Sequence, residues 1–290
     1  MKRLLVLLIA VAVVFGFCCC ATTEHEATVV ATTLPVYEFT TRLCDGTDIQ
    51  VTQLITENIS CLHDYTLQVS QMKAVEQADT VILSGAGLEA FMEEVFADKA
   101  TIDASTDISL ICDHHSGDEH DDHHHQEDPH IWLAPGNAKI MTKNICHGLS
   151  QLYPQYADIF DKNRVDLFAD LDKLQQYGYQ SLSMCKGSEL LTFHDGFGYL
   201  AQAFDLKILR AIEEESGREA SAAELIELCT LVNEHDLPAI FTEINGSTSA
   251  AEIISRETGA KIYQLDMAMG TSGYFGAMYH NIDTLKEALE

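Results

Sequence analysis

Basic residues are scarce in this chain. Lysine and arginine total 17 against 45 aspartates and glutamates, a formal net charge of −28 over 290 residues. Such a surface repels polyanions, which excludes nucleic acid and an anionic membrane face as partners and suits the attraction of cations. No CxxC pair occurs, so a zinc ribbon and a thioredoxin-type redox site are unsupported. HExxH and GxSxG are both absent, which leaves a zinc peptidase or a serine hydrolase without its usual signature. No fixed-period repeat is visible. The apolar run Leu4–Phe17 has 14 residues, short of the roughly 20 that a membrane-spanning helix needs.

Other residues are abundant in one place. Asp113–His130 reads DHHSGDEHDDHHHQEDPH, and its first sixteen residues hold seven carboxylates and six histidines: His114, His115, His120, His123, His124 and His125. A run with so little to bury is predicted to be a mobile loop. Imidazole and carboxylate are ligands for borderline divalent metals, so the run reads as an auxiliary metal collector. Purification tags are also His-rich, but they sit at termini and do not alternate with Asp.

The N-terminus is read as a signal peptide over residues 1–20. A basic Met1-Lys2-Arg3 precedes the apolar run, and Cys18-Cys19-Cys20 and the polar Ala21–Glu26 follow it, the order of an export signal. Cysteine at the end of such a run resembles a bacterial lipoprotein signal, in which a cysteine becomes the lipidated first residue. Cys18, Cys19 and Cys20 are the candidates, although Phe17 stands where a small residue is usual. The expected location is therefore outside the cytoplasm, lipid-anchored on the outer face of the membrane or periplasmic. Beyond the leader lie Cys44, Cys61, Cys112, Cys146, Cys185 and Cys229. In an exported protein these permit three disulfides, in pairings sequence does not rank, or serve as buried thiols.

Length and a 47% hydrophobic content suit two cores of ordinary size. Strands are expected at Thr28–Ala31, Asp48–Ile55, Thr80–Leu83 and Ala100–Ala104, with a helix from near Asp64 and another over Leu88–Phe96. A helix follows Pro135-Gly136-Asn137 to about Leu149. The longest helical pattern runs from Gln155 to about Tyr179, with Tyr156, Ile159, Phe160, Leu167, Leu171 and Leu174 on one stripe. The alternation then resumes: strands Glu189–Phe193, Lys207–Ile212, Pro238–Thr242 and Lys261–Leu265, and helices Gly196–Phe204, Ser221–His235, Ser249–Thr258 and Tyr274–Leu289. Ser221 with Glu224 forms a capping-box pattern. Alternating strand and helix means parallel sheet with helices on its faces. The chain is thus read as α/β, with an N-terminal domain over 28–150 that includes the loop 113–128, a linker helix over 154–180, and a C-terminal domain over 186–290.

Three histidines stand apart from the loop: His63, His130 and His194. Each sits after a predicted strand or at a strand-to-helix turn, where open α/β sheets bind ligands. One from each half and one at the loop exit are placed to meet between two domains. Asp64 and Asp195 follow two of them and are candidates to orient a ring.

The words around these histidines are more specific. Cys61-Leu62-His63-Asp64-Tyr65, Asp128–Pro135 (DPHIWLAP) and Phe193–Phe204 (FHDGFGYLAQAF) resemble the zinc-binding solute receptors of ATP-binding-cassette metal importers. Gly85–Glu89 and Tyr274–Leu289 extend the resemblance over essentially the whole mature chain. It implies two (β/α)4-type domains with parallel sheets, joined by a long rigid linker helix, with the metal between them. It implies His63, His130 and His194 as ligands of Zn2+, carried as cargo and not consumed by an enzyme. It also implies a monomer that meets an importer permease with its ATPase subunits. Manganese members carry a carboxylate where this chain has His194, and an Asp shortly before the final aromatic pair; Gly270–Phe275 has none. The fourth position is thus open to water, a loop histidine, or Glu243 or Asp266. Three imidazoles favour Zn2+, with Mn2+ or another divalent metal as the alternative. Two readings from other classes stand beside this one: a secreted hydrolase with a three-His catalytic zinc, and a passive metal buffer or surface adhesin.

Overall fold

The computed structural model describes residues 27–57, 62, 65–111, 127–213 and 220–290. Expectations that fall on the leader with Cys18–Cys20, on Cys61, His63, Asp64 and Cys112, and on the loop histidines His114–His125 lie outside the described residues.

The first half runs β1 (Thr28–Ala31), α1 (Leu34–Leu43), β2 (Gln50–Gln53), α2 (Val69–Gln77), β3 (Thr80–Leu83), α3 (Glu93–Phe96) and β4 (Ala100–Asp103). After a short 3-10 turn at Ile131–Leu133 come α4 (Pro135–Leu152) and the linker α5 (Ala157–Ser181). The second half runs β5 (Glu189–His194), α6 (Gly198–Ala203), β6 (Lys207–Glu213), α7 (Ala222–Glu234), β7 (Ala239–Glu243), α8 (Ser249–Thr258), β8 (Lys261–Leu265) and α9 (Tyr274–Leu289). All pairs are parallel, in two four-stranded sheets ordered β2-β1-β3-β4 and β6-β5-β7-β8. The α/β reading is met. Strands buried on both faces carry near-continuous apolar runs, as TVIL in β3 and AIFT in β7 do. In each sheet the order reverses once, between β1 and β3 and between β5 and β7. Ligands gather in the crevice at the carboxyl ends of such strand pairs.

Two expectations need correction. Helix α1 had no counterpart in the sequence reading, because Pro35, Val36, Thr40 and Thr41 weaken its helical propensity. Burial of Val36, Phe39 and Leu43 forms it instead, with Pro35 in the first turn where its missing N–H costs nothing. Helix α2 starts at Val69, not near Asp64. There Gln71 Oε1 accepts from the Gln68 amide at 2.8 Å, and of the predicted stripe Val69 and Met72 remain exposed. The Ser221–Glu224 box is present: Glu224 Oε2 accepts from Ser221 N at 2.7 Å, and Ser221 Oγ accepts from Glu224 N at 3.3 Å. Cys44, Cys146, Cys185 and Cys229 are free thiols, so three disulfides do not form. Burial pushes the Cys44 thiol up to about 12.

Helix α5 has 25 residues, about 37 Å at 1.5 Å each, and packs against α1, α4 and α9. Phe160, Leu167, Leu171 and Leu174 face inward, while Asp170 pairs with Arg42 Nη2 of α1 at 2.6 Å. One apolar core runs through both halves, from Phe39 and Trp132 through Leu167 to Phe241 and Tyr274. Polar bonds cross the same junction. Trp132 Nε1 donates to the Met267 carbonyl at 2.8 Å, and Tyr274 Oη donates to the Trp132 carbonyl at 3.0 Å. Glu38 of α1 accepts from the Tyr274 amide at the start of α9, 3.1 Å to each oxygen.

In the first half a buried carboxylate ties the loop after β3 to the end of β1. Glu89 Oε1 accepts from Thr32 Oγ1 at 2.6 Å and from Ser84 N at 2.8 Å, and its Oε2 accepts from Gly85 N at 3.1 Å. Burial pushes this carboxyl from its ordinary 4.5 up to about 7, against the pull of those three donors. Its pKa is thus higher folded than unfolded. The contribution is complete below about 4.5 and is lost as pH rises through about 7. Glu89→Gln does not titrate and turns an amide toward Gly85 N–H. At pH 5 it should be less stable than wild type by roughly 1–3 kcal/mol, with the gap narrowing toward pH 8. Urea midpoints across that range test this; a pH-independent gap would contradict it.

Candidate metal centre

His130 and His194 meet where the halves join. His194 ends β5, a strand at the switch point of the second sheet, and Glu243 ends β7 beside it. His130 enters from the first half at the start of the Ile131–Leu133 turn. Both rings are almost fully buried, at 2% and 4% exposure. They pack edge to face, with centroids 5.0 Å apart and planes at 87°. Their Nε2 atoms stand 3.3 Å apart.

Each ring is held from behind by a buried carboxylate. Asp128 Oδ1 is 2.8 Å from His130 Nδ1 and also accepts from the His130 amide at 2.9 Å. Glu243 Oε1 stands 3.3 Å from His194 Nδ1. Asp128 only accepts, so it draws the His130 ring proton to Nδ1 and turns that ring's Nε2 lone pair toward His194. The facing Nε2 atoms are within hydrogen-bond distance of each other, and the same spacing suits two donors on one cation. Two imidazoles bound to a tetrahedral zinc at 2.0–2.1 Å place their nitrogens about 3.3–3.4 Å apart. The observed separation has that value. Carboxylates at Nδ1 also make imidazoles stronger donors and fix their orientation.

Below His194 the chain passes without a side chain. A Cβ on Gly196 would lie 2.6 Å from His194 Cδ2, 2.8 Å from its Nε2 and 2.8 Å from the Met267 methyl. Glycine at this position lets the turn after β5 fold flat under the ring.

Of the predicted ligands the structure brings together His130 and His194. His63 lies outside the described residues, although its neighbour Leu62 is buried and accepts from Tyr65 N at 3.0 Å. Among the described residues no group of three metal-ligating side chains converges. Glu243 faces the Nδ1 side of His194, opposite the edge that looks toward His130. Asp266 commits both oxygens to the turn before α9, accepting from Ala268 N at 2.8 Å and Ser272 Oγ at 2.6 Å. Sequence reasoning missed Asp128, which it counted as one more acid of the loop. Its signal was the spacing in Asp128-Pro129-His130, which lets a carboxylate reach both the amide and the ring two residues on. Gly196 was likewise read only as part of a motif.

The family model described as the zinc-uptake complex component A, periplasmic, ZnuA, matches residues 29–288. The chain belongs to this family. It is similar to the zinc-binding lipoprotein AdcA of Streptococcus pneumoniae, 29% identical over 92% of this chain and 56% of that protein. It thus spans about half the length of the curated relatives it matches first. The high-affinity zinc uptake system protein ZnuA of Bacillus subtilis is 29% identical over 90% of this chain and 87% of its own. Among solved structures, the Zn(II)-bound ZnuA-like domain of Streptococcus pneumoniae AdcA superposes with a TM-score of 0.77 at 28% identity. That match covers 91% of this chain and 99% of the domain. The metal-dependent lipoprotein YcdH of Bacillus subtilis gives the same TM-score, identity and coverage. These relatives share the two-domain plan with a linker helix seen here.

The Gly196 floor generates a prediction. Gly196→Ala must displace the His194 ring, so Zn2+ affinity should fall at least about tenfold, with about 1–3 kcal/mol of overpacking cost. Chelator competition beside a thermal melt measures both. An unchanged affinity would show that the ring does not need this glycine.

Proposed function

We propose that this chain is the extracytoplasmic receptor of a zinc importer, which captures Zn2+ and delivers it to an ATP-binding-cassette permease driven by its ATPase subunits. The observation that carries the reading is the pair of buried Nε2 atoms 3.3 Å apart, each ring backed by a carboxylate at Nδ1. Its similarity to AdcA, a zinc-binding lipoprotein, and ZnuA, a high-affinity zinc uptake system protein, supports it. His63 is the third ligand in this reading. Water, or a histidine of the Asp113–Asp128 run, takes the fourth position, and Glu243 and Asp128 act as the carboxylates that hold the rings.

Donor chemistry selects the cargo. Three neutral imidazoles suit a borderline ion such as Zn2+, whereas Mn2+ prefers oxygen-rich sites. The ion is bound for transport and is not a catalyst; the second carboxylates that a hydrolase would use as a base are here turned to the ring nitrogens. The acidic-histidine run raises the local concentration of metal. No described helix is long and apolar enough to cross a membrane. Attachment is through a lipid on one of Cys18, Cys19 or Cys20, with the receptor working as a monomer beside its permease.

The polar bonds across the junction and the long helix α5 make wide opening costly. Parting the halves would exchange the bonds of Trp132 and Tyr274, both almost fully buried, for water, at roughly 0.5–1.5 kcal/mol each, beside the apolar surface it exposes. Capture and release therefore proceed by small local movement, with the permease supplying the interactions that favour release.

Calorimetry on the mature chain tests the assignment. One tight Zn2+ site should survive deletion of Asp113–Gln126, prefer Zn2+ to Mn2+, and disappear in His63→Ala, His130→Ala and His194→Ala. Tight binding that persists without His130 and His194, or vanishes with the loop alone, would overturn it.

A further inference from the structure

Asp128, which holds His130, is itself held by a residue of the other half. Tyr199 belongs to α6, is 1% exposed, and sends its hydroxyl across the junction. That hydroxyl donates to the Asp128 carbonyl at 2.9 Å and accepts from the Ile111 amide at 3.0 Å. Ile111 and Asp128 are also joined directly, Asp128 N donating to the Ile111 carbonyl at 3.0 Å. The three groups form a closed ring of hydrogen bonds, in which the phenol uses its one proton and one lone pair. From the same side α6 approaches the carboxylate: a Cβ on Gly198 would lie 3.2 Å from Asp128 Oδ2.

We infer that Tyr199 is a positioning residue for the metal centre, its buried hydroxyl fixing Asp128 and, through it, the His130 ring relative to His194. The inference rests on the receptor reading of the histidine pair. It follows that the six residues His194–Tyr199 supply one ligand, the glycine under that ligand, and the hydroxyl that aims the other. The second half thereby sets both sides of the 3.3 Å gap. Without the hydroxyl, the Ile111 amide and the Asp128 carbonyl each lose a buried partner. Among the described residues Asp128 is then anchored only by its bonds to His130 and to the Ile111 carbonyl, so the carboxylate and ring are free to move together.

The test is Zn2+ affinity of the full chain by chelator competition in Tyr199→Phe, beside Tyr153→Phe as a control. Tyr153 loses a hydroxyl contact with Thr80 and has no bond to the centre. Tyr199→Phe should bind Zn2+ about tenfold more weakly, the lower end of losses from outer partners of metal ligands, and should shift the visible absorption of the Co2+-loaded protein. The control should do neither, although it too removes a tyrosine hydroxyl. If Tyr199 acts through Asp128, the losses in Tyr199→Phe and Asp128→Asn should not multiply in the double variant. Wild-type affinity in Tyr199→Phe, or losses that multiply, would overturn the inference. Should Tyr199→Phe not fold, Gly198→Ala decides: crowding of Asp128 Oδ2 should weaken Zn2+ binding, and unchanged binding overturns the inference. If His130→Ala and His194→Ala keep full Zn2+ affinity, the receptor reading itself falls. If they abolish it while Tyr199→Phe is silent, only the role of Tyr199 falls.

Discussion

Two imidazole nitrogens, from opposite halves of the chain, face each other at 3.3 Å in a buried space. The arrangement does not rest on the two rings alone. It is imposed by what surrounds them: Asp128 and Glu243 behind the rings, Gly196 under one of them, and a junction that brings the halves into one core. Two ring nitrogens at this spacing can share one cation. The rest of the architecture serves to keep that gap at a fixed width.

The parallel sheets contribute the placement. His194 and Glu243 end β5 and β7, the strands on either side of the point where the second sheet reverses its order. Trp132, two residues after His130, is bonded to Met267 and Tyr274 of the second half, so His130 is registered on that half by its own neighbour. The linker α5 lies along both halves and adds Asp170 to Arg42. A chain built in this way presents the two rings already in place, with little left to organise.

Much of this was legible in the chain, and the parts that were not have physical reasons. His130 and His194 could be picked out because each follows a strand, and because their flanking words are specific. The boundaries of β1, β3 and β8, and the capping box at Ser221, follow from local patterns that tertiary packing did not override. Helix α1 escaped because its stability comes from burying Val36, Phe39 and Leu43, not from propensity. Asp128 escaped because seven carboxylates crowd one loop, and composition cannot say which of them turns inward. Glu243 stands out at the end of IFTE, but its distance to Nδ1 depends on the side-by-side placement of β5 and β7. Strand order of that kind is a long-range property, invisible to periodicity. Tyr199 belongs to the same class: only the junction of the halves brings its hydroxyl to Ile111 and Asp128.

The central claim is that a single ion sits between these two nitrogens. Diffraction from crystals of the protein loaded with one equivalent of Zn2+, with anomalous difference density collected on both sides of the zinc edge, tests it most directly. The account predicts one dominant peak about 2.0–2.1 Å from both His130 Nε2 and His194 Nε2, in tetrahedral geometry. A dominant peak elsewhere, with the two nitrogens still facing each other and no metal between them, would contradict it.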